Sequence, residues 1–159
     1  MGAEGPEGPA GPAGSPWTVG GLPKGSTELG EWSVTQSASK ANELIGGAIS
    51  FNVPLAAPLS EAHVHFIGTE EELAGEPNES PAIKNGECKG SVEKPEAASG
   101  NLCVFGAVLV NVQKFNNAPF VGGLGEEGKA GADEAGAQLT FLVPNEGLMF
   151  AKGSWAVTG

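Results

Sequence analysis

Two histidines and one carboxylate stand close together in Glu61-Ala62-His63-Val64-His65, and no other histidine occurs in the chain. On an extended backbone alternate residues share a face, which would put Glu61, His63 and His65 on one side and Ala62 and Val64 on the other. Two imidazoles and a carboxylate so placed are the donor set of a facial transition-metal site. The plainer reading, which the chain favours, is the polar side of a half-exposed strand or a strip along a subunit interface. In a trimer, three copies of such a strand near a threefold axis could hold an ion jointly.

The remaining reactive side chains are less concentrated. Cys88 and Cys103 have neither CxxC nor zinc-ligand spacing. The loop-like GSVEKPEAASGN between them favours a disulfide over two unrelated buried thiols, and closing such a loop is worth roughly 3 kcal/mol in the chain-entropy model. A disulfide points to an oxidising, extracellular or cell-surface location. No GxSxG elbow is present, so nucleophilic catalysis is poorly supported. The acidic residues fall mostly in runs such as Glu70-Glu71-Glu72 and Glu126-Glu127, where a solvated surface is the default. Asp133 and Glu134 could approach calcium, but no DxDxDG loop frames them. Trp17, Trp32 and Trp155 could stack on sugars. Trp32 and Trp155 lie in alternating segments that favour core packing instead, and Trp17 sits where the two parts of the chain join. Asn78-Glu79-Ser80 matches a glycosylation sequon followed by Pro81, and carries no weight here. No enzyme activity and no cofactor are expected.

Composition narrows the partners. The chain has 159 residues, a formal net charge of −11, eight lysines without an arginine, 26 glycines, 12 prolines and no tyrosine. That balance does not easily neutralise phosphates, so nucleic acid and anionic membrane surfaces are poor candidate partners. No run approaches the roughly 20 apolar residues of a membrane span, so no membrane insertion is expected. Met1 leads straight into a repeat without a basic or apolar leader, which reads as a trimmed piece whose targeting signal lies upstream.

Short alternating segments must position whatever the chain carries. Period two runs through Glu31–Thr35 and through Ala48–Val53, with Ile49, Phe51 and Val53 inward. Ala62–Ile67, Asn101–Val112, Ala137–Val143, Leu148–Phe150 and Ser154–Thr158 follow, with Gly106 marking a bulge or a break. Residues 68–100 read as a long polar loop tied at its far end by the cysteines, with a possible helical turn at Glu70–Leu73. A second loop carries Phe115, Phe120 and Leu124 among glycines. Seven or eight short strands without a long amphipathic helix predict an all-β chain, a β-sandwich of jelly-roll type.

The first 16 residues obey a different rule. MGAEGPEGPAGPAGSP places Gly2, Gly5, Gly8, Gly11 and Gly14 in strict phase, with Pro6, Pro9 and Pro12 each following a glycine. Only glycine fits at the axis where three polyproline-II chains wind together, so the phase predicts a collagen-like segment at 1–16 and a β-sandwich head at 17–159. A Gly/Pro linker falling into register by chance is the alternative. Five triplets cannot hold a triple helix alone, which assigns assembly to the head.

Here the chain resembles known proteins. The triplets followed by SPWTVGGLPKG, TELGEWS, PLSEAHVHFI, GECKGSV, SGNLCVF and GSWAVTG are similar to the C-terminal heads of actinobacterial collagen-like proteins. The stalk-plus-sandwich plan is more distantly similar to C1q and tumour-necrosis-factor-like trimers. That resemblance implies a homotrimeric structural module of a secreted collagen-like protein, registering the stalk and presenting an acidic surface for adhesion. A glycan- or receptor-binding head is the second reading. The third is a cupin-like metal enzyme, because Glu70 follows His65 much as in the cupin HxH-E element.

Overall fold

The computed structural model describes residues 2, 20–68, 81–113, 120–123 and 130–159. Gly5, Gly8, Gly11, Gly14, Trp17, the Glu70–Leu73 turn, Phe115, Leu124 and the Glu126-Glu127 pair therefore lie outside the described residues. Gly2 is exposed.

The chain is an all-β sandwich. Its two long terminal strands, β1 (Thr27–Ala38) and a final strand (Gly147–Thr158), pair antiparallel over their whole length, from Thr27 opposite Thr158 to Ala38 opposite Gly147. One step further in, β2 (Glu43–Ser50) pairs antiparallel with the penultimate strand (Gly136–Val143). These four strands thus wrap as a doubled ribbon, the winding of a jelly roll.

The connecting strands in chain order are β3 (Leu59–Ser60), β4 (Val64–Ile67), β5 (Cys88–Gly90), β6 (Pro95–Ala97), β7 (Asn101–Val110), β8 (Phe120–Gly122) and β9 (Gly131–Ala132). This makes the penultimate strand β10 and the last β11. The first sheet runs β1-β11-β7-β4 and the second β2-β10-β8. β4 joins β7 parallel, the one parallel pair among these ladders.

Inward side chains close the sandwich. Phe141 and Leu139 from β10 and Ile45 and Ile49 from β2 face Trp32, Val34, Leu102, Val104, Met149 and Trp155 across the interior. The indole of Trp32 stacks on Phe141 at 5.6 Å and meets the Phe66 ring edge-on at 5.9 Å, linking the two sheets through aromatic contacts.

Two glycines make room for the tryptophans. In the β1–β11 ladder Gly30 is opposite Trp155 and Trp32 is opposite Gly153. A Cβ on Gly30 would sit 2.5 Å from the Trp155 ring, and one on Gly153 would run into the Phe105 carbonyl and the Trp32 ring nitrogen. Each indole lies across the strand where its neighbour has no side chain. The register also shifts at Lys152/Gly153, where Val108 and Gly106 are consecutive partners and Ala107 is the extra residue. Trp32 Nε1 donates to the carbonyls of Phe105 and Ser154, at 3.1 and 3.2 Å, at this irregularity. The bulge predicted at Gly106 is therefore present, one residue along.

The residues leading into β1 meet Gly159 at one end of the sandwich. Gly25 N donates to Gly159 O and Gly159 N to Ser26 O. Asn111 marks the far end, donating through Nδ2 to Asn145 O at 2.8 Å.

Candidate functional site

The outer face of the first sheet is divided into a covered half and an open half. Residues 81–98 cross the half nearest Gly25 and Gly159 as a strap: a helical turn (Pro81–Lys84), then the β5–β6 hairpin. Beneath it a second apolar cluster collects Ile67, Ala82, Cys88, Cys103 and Phe105, with Ile83, Val92 and Ala97 against them. Cys88 and Cys103 are joined by a disulfide, with Cα atoms 5.7 Å apart, fastening the strap to β7. This is the pairing favoured from the loop between them.

Polar groups complete the fastening. Asn101, Ser154 and Thr158 are the buried polar residues among those described, and all three belong to this half of the sheet. Ser154 Oγ donates to Val92 O at 2.7 Å, and Thr158 Oγ1 donates to Ala97 O at 2.8 Å. Having spent its proton there, Thr158 Oγ1 must accept from Thr27 Oγ1, 2.7 Å away. Buried hydroxyls need such partners, so each fixes a point on the strap's backbone. None of the three was legible as functional. Their signal was a hydroxyl or amide at an outward position of an otherwise apolar strand.

The histidine cluster comes apart in the fold. Val64–Ile67 is strand, but Glu61–His63 forms a 3-10 turn, closed by Val64 N donating to Glu61 O. The turn is needed because β3 pairs with β9 whereas β4 pairs with β7, so the chain must change direction between them. The expected common face of Glu61, His63 and His65 is therefore lost: Glu61 and His63 are exposed, and His65 turns under the strap. There His65 Nε2 lies 3.0 Å from Asn101 Oδ1 and 3.7 Å from Glu87 Oε2. Asn101 Nδ2 donates to Ser99 O, which leaves Oδ1 as the acceptor and makes His65 Nε2 the protonated nitrogen. His65 ties β4 to the strap and to the start of β7. Among the described residues no three or more His, Cys, Asp or Glu side chains gather as metal ligands.

The other candidates are placed as follows. Trp32 and Trp155 are core residues, 5% and 3% exposed. Asp133 and Glu134 sit in the tight turn before β10, where Asp133 N donates to Gly136 O. No helix of the described residues is long and apolar enough to cross a membrane.

The open half of the face continues beyond the strap. Rows read across β1, β11 and β7 are Ser33, Lys152 and Val108, then Thr35, Phe150 and Val110, and finally Ser37 beside Leu148. Leu148 and Val110 are 59% and 48% exposed. At the border between halves lies a shallow groove, lined by Glu31, Ser33, Val92, Ala107, Lys152 and Ser154. Large exposed apolar side chains elsewhere are Leu29, also on the outer side of β1, and Leu44 on the second sheet.

The chain matches no protein-family model, no curated protein and no solved structure.

Proposed function

We propose that the chain is the trimerising head of a secreted collagen-like protein, a structural and interaction module and not an enzyme. The observation that carries this reading is the five-triplet Gly-X-Y phase leading directly into a β-sandwich. A collagen-like segment has no fold as one chain, and five triplets supply too little association to hold three. The head supplies the association, and registers the three stalks by bringing them in at the same end.

The nested jelly-roll winding supports this, since Gly25 and Ser26, just before β1, lie beside Gly159 at one end of the sandwich. The disulfide is compatible with an oxidising, extracellular setting. The net charge of −11 suits an exposed adhesive surface that stays soluble and avoids nucleic acid.

Light scattering on the full chain at micromolar concentration tests the reading: a trimer is expected, and a monomer overturns it. Gly8→Ala, which breaks the triplet phase, should leave the trimer intact. Dissociation on that change would assign assembly to the stalk.

A further inference from the structure

Resting on the trimer reading, we infer that the open half of the first sheet's outer face is where a second copy of this chain docks. At its border with the strap, a ring of alternating Lys152 and Glu31 around the threefold axis closes the contact.

Three observations single out this surface. The first is direction. Three stalk chains must arrive on one side, and Gly25 and Ser26, which lead into β1, are bonded to Gly159 at one end of the sandwich. The heads therefore meet along a flank parallel to the strands, not end to end. The second is apolar content. Of the large exposed apolar side chains among the described residues, Val110 and Leu148 are on this open half, with Phe150 and Val108 beside them, while Leu29 points to the same side opposite Ala156, in the strap's half. The second sheet offers Leu44 beside Leu142.

The third is charge. Two copies at −11 repel unless they meet where acids are absent. Ser33, Thr35, Ser37, Val108, Val110, Leu148 and Phe150 form a patch without an acid, and the ammonium of Lys152 lies over the Phe150 ring, 5.8 Å from its centroid. At its border stand one acid and one base, Glu31 and Lys152, on adjacent strands and diagonal to each other in register. Neither has an ion pair among the described residues. A threefold contact is heterologous, so each chain must offer two complementary groups. Adjacent Glu31 and Lys152 near the axis do so: each Lys152 reaches the next chain's Glu31. The strap sets the limit of the contact, because its hairpin stands on the other half of the same face.

The experiment compares oligomeric state for the full-length chain and its variants, with circular dichroism confirming the fold. Val110→Asp/Leu148→Asp changes two exposed side chains and is expected to give folded monomer. Lys152→Glu should raise the dissociation constant by about tenfold or more, and the added Glu31→Lys should restore it. Leu44→Asp, on the opposite sheet, should leave the trimer unchanged. A trimeric parent with a trimeric Val110→Asp/Leu148→Asp variant overturns the docking face and leaves the trimer reading standing. Dissociation by Leu44→Asp instead moves the contact to the second sheet and overturns it equally. A monomeric parent overturns the reading and the docking face together. Should the double aspartate variant misfold, the charge reversal and its rescue decide: no loss with Lys152→Glu, or no recovery with Glu31→Lys, rejects the ring.

Discussion

The first sheet is packed on both sides, and the two sides are held by different means. On the inner side the sandwich core is closed by shape: Trp32, Phe66 and Phe141 interlock, and glycines opposite the two tryptophans receive their rings. On the outer side the strap covers a cluster centred on five buried residues, and adds a disulfide, two hydroxyl-to-carbonyl bonds and the His65–Asn101–Glu87 contact. A core large enough to bury its strands' inner faces depends on volume. A short crossing segment, with little apolar area of its own, depends on fasteners. The comparison predicts that damage inside will be global, and damage outside local.

The largest effect should come from the inner side. Trp32→Ala removes a buried ring from the contact between the sheets and should cost about 3–5 kcal/mol. It also leaves the Phe105 and Ser154 carbonyls without the indole donor. Chemical denaturation should show a single transition moved to much lower denaturant, with strap and sandwich lost together. A variant that kept the parent's midpoint would mean that the aromatic contact is not what closes the sandwich.

Next comes the covalent fastener. Cys88→Ala/Cys103→Ala should cost about 2–4 kcal/mol, as expected for closing a loop of this size. Here the loss should be uneven. Hydrogen exchange should rise across 81–100 while the amides of β1, β10 and β11 stay protected. Uniform loss of protection would show that strap and sandwich are one cooperative unit, and the contrast between the two sides would collapse.

A smaller effect belongs to a single hydrogen bond under the strap. Ser154 is 5% exposed, and its Oγ donates to Val92 O. Ser154→Ala leaves that carbonyl short of a partner and should cost about 1–2 kcal/mol. The same exchange assay should find the loss concentrated near Val92. An unchanged midpoint and exchange pattern would remove the hydroxyls from the list of fasteners.

The same contrast explains what could be read in advance. Inner faces follow period two: Trp32 and Val34, Ile49, and the Leu139–Phe141–Val143 series are all buried as the alternation predicts. Even here local signals misplace the ends. The sequence reads as two segments, a short apolar Leu148–Phe150 and a closing Ser154–Thr158, yet β11 runs unbroken through Gly153. That glycine is a seat for the Trp32 ring, a partner 121 positions away along the chain that no local window contains. Glu31–Thr35 likewise extends to Thr27–Ala38, because β11 pairs with it throughout. The strap is harder to read: β5 and β6 are three residues each, too short to display a period. The histidines misled for a related reason. Alternation through Glu61–His65 assumes one continuous strand, and the change of sheet at Glu61–His63 is a tertiary requirement. The cysteine pair was legible because its argument rested on loop closure and not on any period.

The smallest expected effect lies at the far end of the sandwich, in neither layer. Glu43 Oε2 accepts from the backbone N–H of Ser39 at 2.6 Å, from Ser39 Oγ at 2.9 Å and from Lys40 N at 3.3 Å, closing the turn between β1 and β2. These bonds favour the charged carboxylate. The Ser39 backbone bond contributes most, and the Glu43 pKa lies below its ordinary value. The sign follows from linkage: a carboxylate depressed in the folded state adds stability above its unfolded pKa, and that stability is lost as pH falls through the folded pKa. Glu43→Gln should therefore be slightly less stable than the parent near neutral pH. The two midpoints should converge as the pH is lowered through and below the usual carboxylate range. Glu43 is half-exposed at the surface, so solvent screens the interaction and the difference should be the least of the four. A gap that stayed constant down to acid pH would assign the loss to turn geometry and not to charge. A gap as large as that of Ser154→Ala would place this turn among the structure's fasteners, and so break the division between a core held by shape and a surface held by bonds.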